Sequence, residues 1–382
     1  MHILIIGGTG VLSSAVCEEA LKRGIKVTMI NRGNRKIPSK VYHIQSDRRD
    51  YHRISQALLG KKFDAVMDFL LTNPNDTRRS IEFYTKYTKQ FFYISSCSVY
   101  NTAKLAGKMG DEDSPKELSI WDYSVQKWAS EKLVMELFDK IDANYTIIRP
   151  CVTYGDTRIP YGISPLYGYH WTLAARILSG KPIIIWNKGI NRCNMTRVED
   201  FAIGVVGLIG NPRAYNEAFN VCGDETPSYN DVLDVISHYL NKEILKVDID
   251  SEFYAREIPT RAGELLGGRS IDSINSNNKL KAVVPEFSPS ITLNEGVFKT
   301  LDAYKYNNFQ NGIDWNFDGD CDRVIRKWCK EKQIDISNMN LSFVDYLGNS
   351  SFNDRMMYWK AVNVNKHYYN IRKLASSIKR LL

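Results

Sequence analysis

Tyr123-Ser124-Val125-Gln126-Lys127 sets a phenol and an ammonium four residues apart. On a helix those two positions share one face, so the groups converge on one spot. A phenol with a reference pKa of about 10 is a poor base at neutral pH, and a neighbouring cation favours its ionised form. The pair therefore suits proton transfer to and from an alcohol or ketone. Alone, the spacing arises by chance in many chains. Here it follows Tyr93-Ile94-Ser95-Ser96-Cys97-Ser98-Val99-Tyr100, where a small hydroxyl residue at the C-terminal edge of a strand faces a ligand crevice. Ser96 and Ser98 are the candidate substrate-facing hydroxyls in this segment. Ser95 competes with Ser96, because a slip of one residue reverses the face of a strand.

A second motif supplies an anion site. After an apolar run stands Gly7-Gly8-Thr9-Gly10-Val11-Leu12-Ser13, opening a helix. A pyrophosphate lies against a helix N-terminus only if no Cβ blocks it, which is why glycines belong there. Gly7, Thr9, Gly10, Val11 and Leu12 are the cofactor-contact candidates, although Ser13 stands at the third glycine position and a tight turn without nucleotide has the same pattern. A NAD site usually offers a carboxylate at the end of the second strand, but this chain reads Ile30-Asn31-Arg32-Gly33-Asn34-Arg35. Arg32, with Arg35, would instead pair a 2′-phosphate, which favours NADP(H), while a NAD(H) site tolerant of Asn31 stays open. Asp47 is either an adenine contact or a helix N-terminal acid.

These residues need a scaffold that brings strand ends together. Short β-branched runs alternate with amphipathic stretches through the first half, the pattern of βαβ units on a parallel sheet. Strands are expected over 2–6, 26–31, 41–45, 65–69, 90–95 and 145–149, with helices over 12–23, 51–59, 78–88 and 123–138. The fold class is therefore α/β, a Rossmann-type doubly wound parallel sheet with a smaller mixed α/β C-terminal substrate lobe. The sheet domain is expected to take residues 1–155 plus about 197–223, and the substrate lobe about 156–196 and 224–300. Residues 301–382 form an extension that periodicity alone does not assign.

The 382 residues, 43% hydrophobic and 25% charged, are enough to bury a large core and exclude a disordered tether. The N-terminus has no basic leader or long apolar run, so residence in the cytoplasm is expected. Seven cysteines without CxxC spacing fit reduced thiols, and with six dispersed histidines they offer no metal constellation. The net charge of +8 suits an anionic small-molecule ligand and would also suit weak nucleic-acid binding, although nucleic acid is not the expected partner. Within it, residues 353–382 carry +6 and the other 352 only +2.

Taken together, the GGTG turn, the SSCSVY segment, YSVQK and Arg149-Pro150-Cys151-Val152-Thr153-Tyr154-Gly155 resemble the extended short-chain dehydrogenase/reductase family, in its NAD(P)-dependent nucleotide-sugar epimerase/dehydratase branch. The resemblance covers roughly residues 1–300. It implies Tyr123 as catalytic acid/base, Lys127 holding the nicotinamide ribose while lowering the tyrosine pKa, and Ser96 orienting the sugar oxygen. It implies Arg192, in Gly189-Ile190-Asn191-Arg192, on the substrate diphosphate, and a homodimer paired through the helix bearing Tyr123. Where 4,6-dehydratases of this branch carry an Asp-Glu pair, this chain has Cys97 and Ser98. Water loss by that route is therefore not expected, which leaves 4-epimerisation or keto-reduction. Reduction of a non-sugar ketone, and an RNA-binding member of the fold without catalysis, are the alternatives.

Tyr161, Tyr167, Tyr169, His170 and Trp171 either stack a base or, more ordinarily, pack a core. Ile371, Leu374, Ala375, Ile378 and Leu382 form one stripe of a basic terminal helix, expected to pack on protein rather than rest on a membrane surface.

Overall fold

Ile3, Leu4, Ile5 and Ile6 are all fully buried, as a strand covered by helices on both faces must be. Alternate side chains of that strand feed two different cores, Ile3 and Ile5 one, Leu4 and Ile6 the other. The computed structural model describes residues 1–116 and 120–364. Its central sheet contains β1 (His2–Ile6), β2 (Lys26–Asn31), β3 (Tyr42–Gln45), β4 (Ala65–Asp68), β5 (Gln90–Ile94), β6 (Asn144–Pro150) and β7 (Glu217–Val221). The order across the sheet is β7-β6-β5-β4-β1-β2-β3, and every pairing is parallel. Chain order reverses between β1 and β4, so a crevice opens at the carboxyl ends of those strands, the usual place for a dinucleotide.

Helix α1 (Val11–Lys22) and the helix Val198–Gly207 cover one face; α2 (Tyr51–Ala57), α3 (Pro74–Tyr84) and α4 (Asp122–Phe138) cover the other. Helix α3 starts four residues before the expected Arg78. Asn73 caps it by accepting from the Asp76 amide at 2.9 Å, and Pro74 occupies the first turn, where its missing N–H costs nothing.

The chain divides into two compact units. The first takes Met1–Gly155, Cys193–Thr226 and Ser273–Ile291; the last piece, which the sequence pattern did not assign to the sheet domain, buries Leu280, Val284 and Phe287 in the sheet's core. The second takes Asp156–Arg192, Pro227–Asp272 and the chain from Thr292 onward. It contains a two-stranded parallel pair, Ile183–Ile185 with Lys246–Asp248, and the helices Leu293–Tyr306, Trp315–Lys332 and Phe352–Asn363. Tyr161, His170 and Trp171 are core residues there, whereas Tyr167 is exposed. The terminal stripe at 371–382 lies outside the described residues. Among the described residues no helix is long and apolar enough to cross a membrane, and all seven cysteines are free of disulfides.

Candidate active site

Helix α4 opens at Asp122, so Tyr123 and Lys127 occupy its first two turns and face the same way. Their environments differ sharply. The Tyr123 ring is 37% exposed, while Lys127 is 5% exposed. The Lys127 ammonium donates to the main-chain oxygens of Leu71 and Ile94, each at 2.7 Å. It sits 5.8 Å from the centroid of the Tyr123 ring and 5.2 Å from that of Tyr93. Burial lowers its pKa from 10.5 to about 8, with Glu131 and Asp68 opposing the shift. Neither acid touches it. Glu131, one turn further along α4, is held by both forks of Arg149, at 3.0 and 2.7 Å. Asp68 accepts from the Ser80 hydroxyl at 2.7 Å and the Leu70 amide at 2.9 Å, and burial raises its pKa. The result is a cation held by neutral dipoles beside a half-open phenol.

Ser96 ends the β5 segment. It is half-buried, with its hydroxyl accepting from the Ser98 amide at 3.1 Å and so capping the short turn Cys97–Val99. Its competitor Ser95 is 2% exposed, with its amide on the Ile148 carbonyl. Among the described residues, the buried hydroxyls of Ser95, Ser98 and Ser124 have no hydrogen-bond partner. Cys97 is a buried thiol 2.9 Å from the sulfur of Cys151, and burial pushes its pKa up. Its packing is that of a core residue.

At the end of β1, Gly7 and Gly8 take φ of +105° and +79°. A Cβ on Gly8 would meet the Met29 sulfur at 2.5 Å, so both backbone and packing demand glycine. Gly10 caps α1, with its amide donating to the Ser13 hydroxyl at 3.0 Å; Ser13 thus completes the turn in place of a third glycine. The first turn of α1 has no acid, which keeps the helix N-terminus available to an anion. Thr9, Val11 and Leu12 are partly exposed there.

Asn31 is tied into this turn. Its amide donates to the Gly7 carbonyl at 2.7 Å and its oxygen accepts from the Gly33 amide at 2.8 Å. Arg35 reaches back to the Thr9 carbonyl at 2.7 Å, and Arg32 is exposed. Asp47 is exposed after β3, accepting from the Arg49 amide. All these residues, with Ser96, Tyr123 and Lys127, belong to the first unit; Arg192 belongs to the second, where its amide donates to Asp272 at 2.9 Å.

A buried cation beside an exposed phenol, and a glycine turn on an acid-free helix end, fit a nicotinamide dinucleotide. Sequence reasoning missed the carbonyls of Leu71 and Ile94, which carry no side-chain signal. It also missed Asp68, whose signal was an acid ending the apolar run Ala65-Val66-Met67.

The model of the family described as NAD dependent epimerase/dehydratase matches residues 3–222. Among curated proteins, the chain is 26% identical over 245 residues to the Chloroplast stem-loop binding protein of 41 kDa b of Arabidopsis thaliana, covering 60% of each chain. It is 27% identical over 220 residues to the uncharacterized UDP-glucose epimerase YtcB of Bacillus subtilis, covering 58% of this chain and 61% of that one. The match thus spans about 60% of these relatives' length. A solved structure of UDP-glucuronic acid 4-epimerase from Bacillus cereus in complex with NAD superposes with a TM-score of 0.61 at 20% identity, over 80% of this chain and 97% of that one. That likeness shows the fold.

Proposed function

The chain belongs to the NAD dependent epimerase/dehydratase family, and from that premise we propose that it is an NADP(H)-dependent enzyme acting on a nucleotide-activated sugar, by 4-epimerisation or reduction of a 4-keto group. The observation that carries this reading is the buried Lys127 ammonium, held by two carbonyls beside the exposed Tyr123 ring. Binding alone does not need that arrangement. It speaks against a purely nucleic-acid-binding role of the kind that the name of the Arabidopsis relative describes.

The dinucleotide, when bound, would supply the hydride acceptor and donor. The turn Gly7–Leu12 would hold its phosphates, and Lys127 its nicotinamide ribose. Tyr123, beside the Lys127 ammonium, takes the proton of a sugar hydroxyl and returns it to the carbonyl oxygen. Ser96 fixes that oxygen. Exposed Arg32, with Asn31 in place of a carboxylate, supports a 2′-phosphate over a free ribose hydroxyl. Cys97 and Ser98 stand where dehydratases have an Asp-Glu pair, which argues against water loss by that route. The names of the epimerase relatives make a UDP-hexose the first substrate to try, and Arg192 is the candidate for its diphosphate.

Mass spectrometry of small molecules copurifying with the native protein is expected to find NADP and a nucleoside diphosphate sugar. Tyr123→Phe is expected to retain cofactor and lose turnover by about 10²–10⁴-fold. Undiminished turnover in that variant would overturn the mechanism.

A further inference from the structure

The net charge of +8 conceals a segregation. Residues 21–62 contain twelve lysines and arginines against two acids, a net +10, so the other 340 residues sum to −2. Eight of those twelve (Lys26, Arg32, Arg35, Lys36, Lys40, Arg53, Lys61, Lys62) form no ion pair among the described residues. The segment spans β2, β3 and α2, and β3 is the outermost strand of the sheet. The connection 32–41 carries Arg32, Arg35, Lys36 and Lys40 from the carboxyl end of β2 back to the start of β3, a span of roughly 20 Å for a six-residue strand, with Ile37 and Val41 packed on the core and the charged residues exposed.

A dinucleotide accounts for only one end of this line. The Gly7–Gly10 turn, which would hold its phosphates, lies beyond the carboxyl ends of the strands. Lys26 and Tyr42 begin their strands at the opposite end, where the Lys61 ammonium lies 5.5 Å from the centroid of the Tyr42 ring. Tyr42 is 58% exposed. A row of unpaired cations beside an exposed aromatic platform is the combination that takes a single-stranded phosphodiester chain, charges tracking the backbone and the ring stacking a base. Arg32 and Arg53 add planar forks that match phosphate geometry.

We propose that the β2–β3 edge is a docking surface for single-stranded nucleic acid, separate from the dinucleotide crevice. The test is fluorescence anisotropy of a labelled twelve-nucleotide RNA on the full chain, from 50 to 200 mM KCl, with and without NADP. Binding is expected to persist with NADP and to weaken with salt, by a log–log slope of about 0.7 per phosphate contact. Reversing Lys36, Lys40, Lys61 and Lys62 to Glu is expected to lower affinity at least tenfold and flatten the slope, with turnover retained. Tyr42→Ala, a milder change, is expected to weaken binding several-fold. The proposal is overturned by absence of RNA binding, by complete displacement by NADP, or by equal affinity in the folded reversal variant. Preferential capture of the protein by phosphatidylserine vesicles over RNA would also overturn it.

Discussion

Among the described residues two lysines are buried, one in each unit, and they are solved differently. Lys181 of the second unit is fully enclosed against Asp318 at 3.0 Å and Asp322 at 2.6 Å. Arg176 pairs with both carboxylates, Tyr346 and Tyr358 donate to them, and the charges cancel. Lys127 of the first unit has two carbonyl oxygens and no touching acid. A cancelled cluster holds three segments of chain in register and has nothing left to offer a ligand. An uncancelled cation keeps field to spare, and here that field falls on a phenol that solvent reaches. The contrast separates charge that builds a fold from charge that serves a reaction.

The largest expected difference comes from removing each ammonium. Lys181→Met leaves two carboxylates with one guanidinium, so urea denaturation should show a loss of about 3–5 kcal/mol. Lys127→Met strands no charge and should keep or raise stability while turnover collapses. An equal loss in both variants would break the distinction. A second difference is pH dependence. Because the Lys127 pKa falls from 10.5 to about 8 on folding, the unfolded chain binds the extra proton between those values, and stability must rise with pH across that window. The buried charge costs up to about 3 kcal/mol, fully present below pH 8 and relieved by pH 10.5. Wild type measured against Lys127→Met isolates it; a flat or falling difference would refute it.

Smaller effects sharpen the same comparison through phenols. Tyr358 donates to Asp322 at 2.6 Å inside the cancelled cluster, so Tyr358→Phe should cost about 2 kcal/mol. Tyr84, beside the first unit's sheet, has a buried hydroxyl without partner. Tyr84→Phe should therefore change stability by less than about 0.5 kcal/mol, or improve it, in the same denaturation series.

Much of the first unit was legible because its signals are local. The strand-turn-helix of Ile3–Lys22 and the spacing of Tyr123 and Lys127 each declare themselves within a few residues, and the alternation of apolar runs gave the parallel sheet. What anchors Lys127 was not legible, since main-chain oxygens of Leu71 and Ile94 look alike in any sequence. The segment after 300 resisted periodicity for a physical reason. The helix Trp315–Lys332 turns Asp318 and Asp322 inward to the charge cluster and Arg323 inward to Glu257, so its buried face reads as polar. The +10 edge escaped because a whole-chain balance averages it against a slightly acidic remainder.

The sheet's core closes only with Leu280, Val284 and Phe287, long after its last strand, β7, has been made. A nascent chain that has emerged as far as residue 226 has all seven strands but presents an open apolar trough along the helix Val198–Gly207, where Gly204 and Gly207 receive those later side chains. Synthesis must therefore run through most of the second unit's middle segment before the first can seal. A fragment trimmed to the strands alone would aggregate in the test tube, however complete its sheet looks on paper.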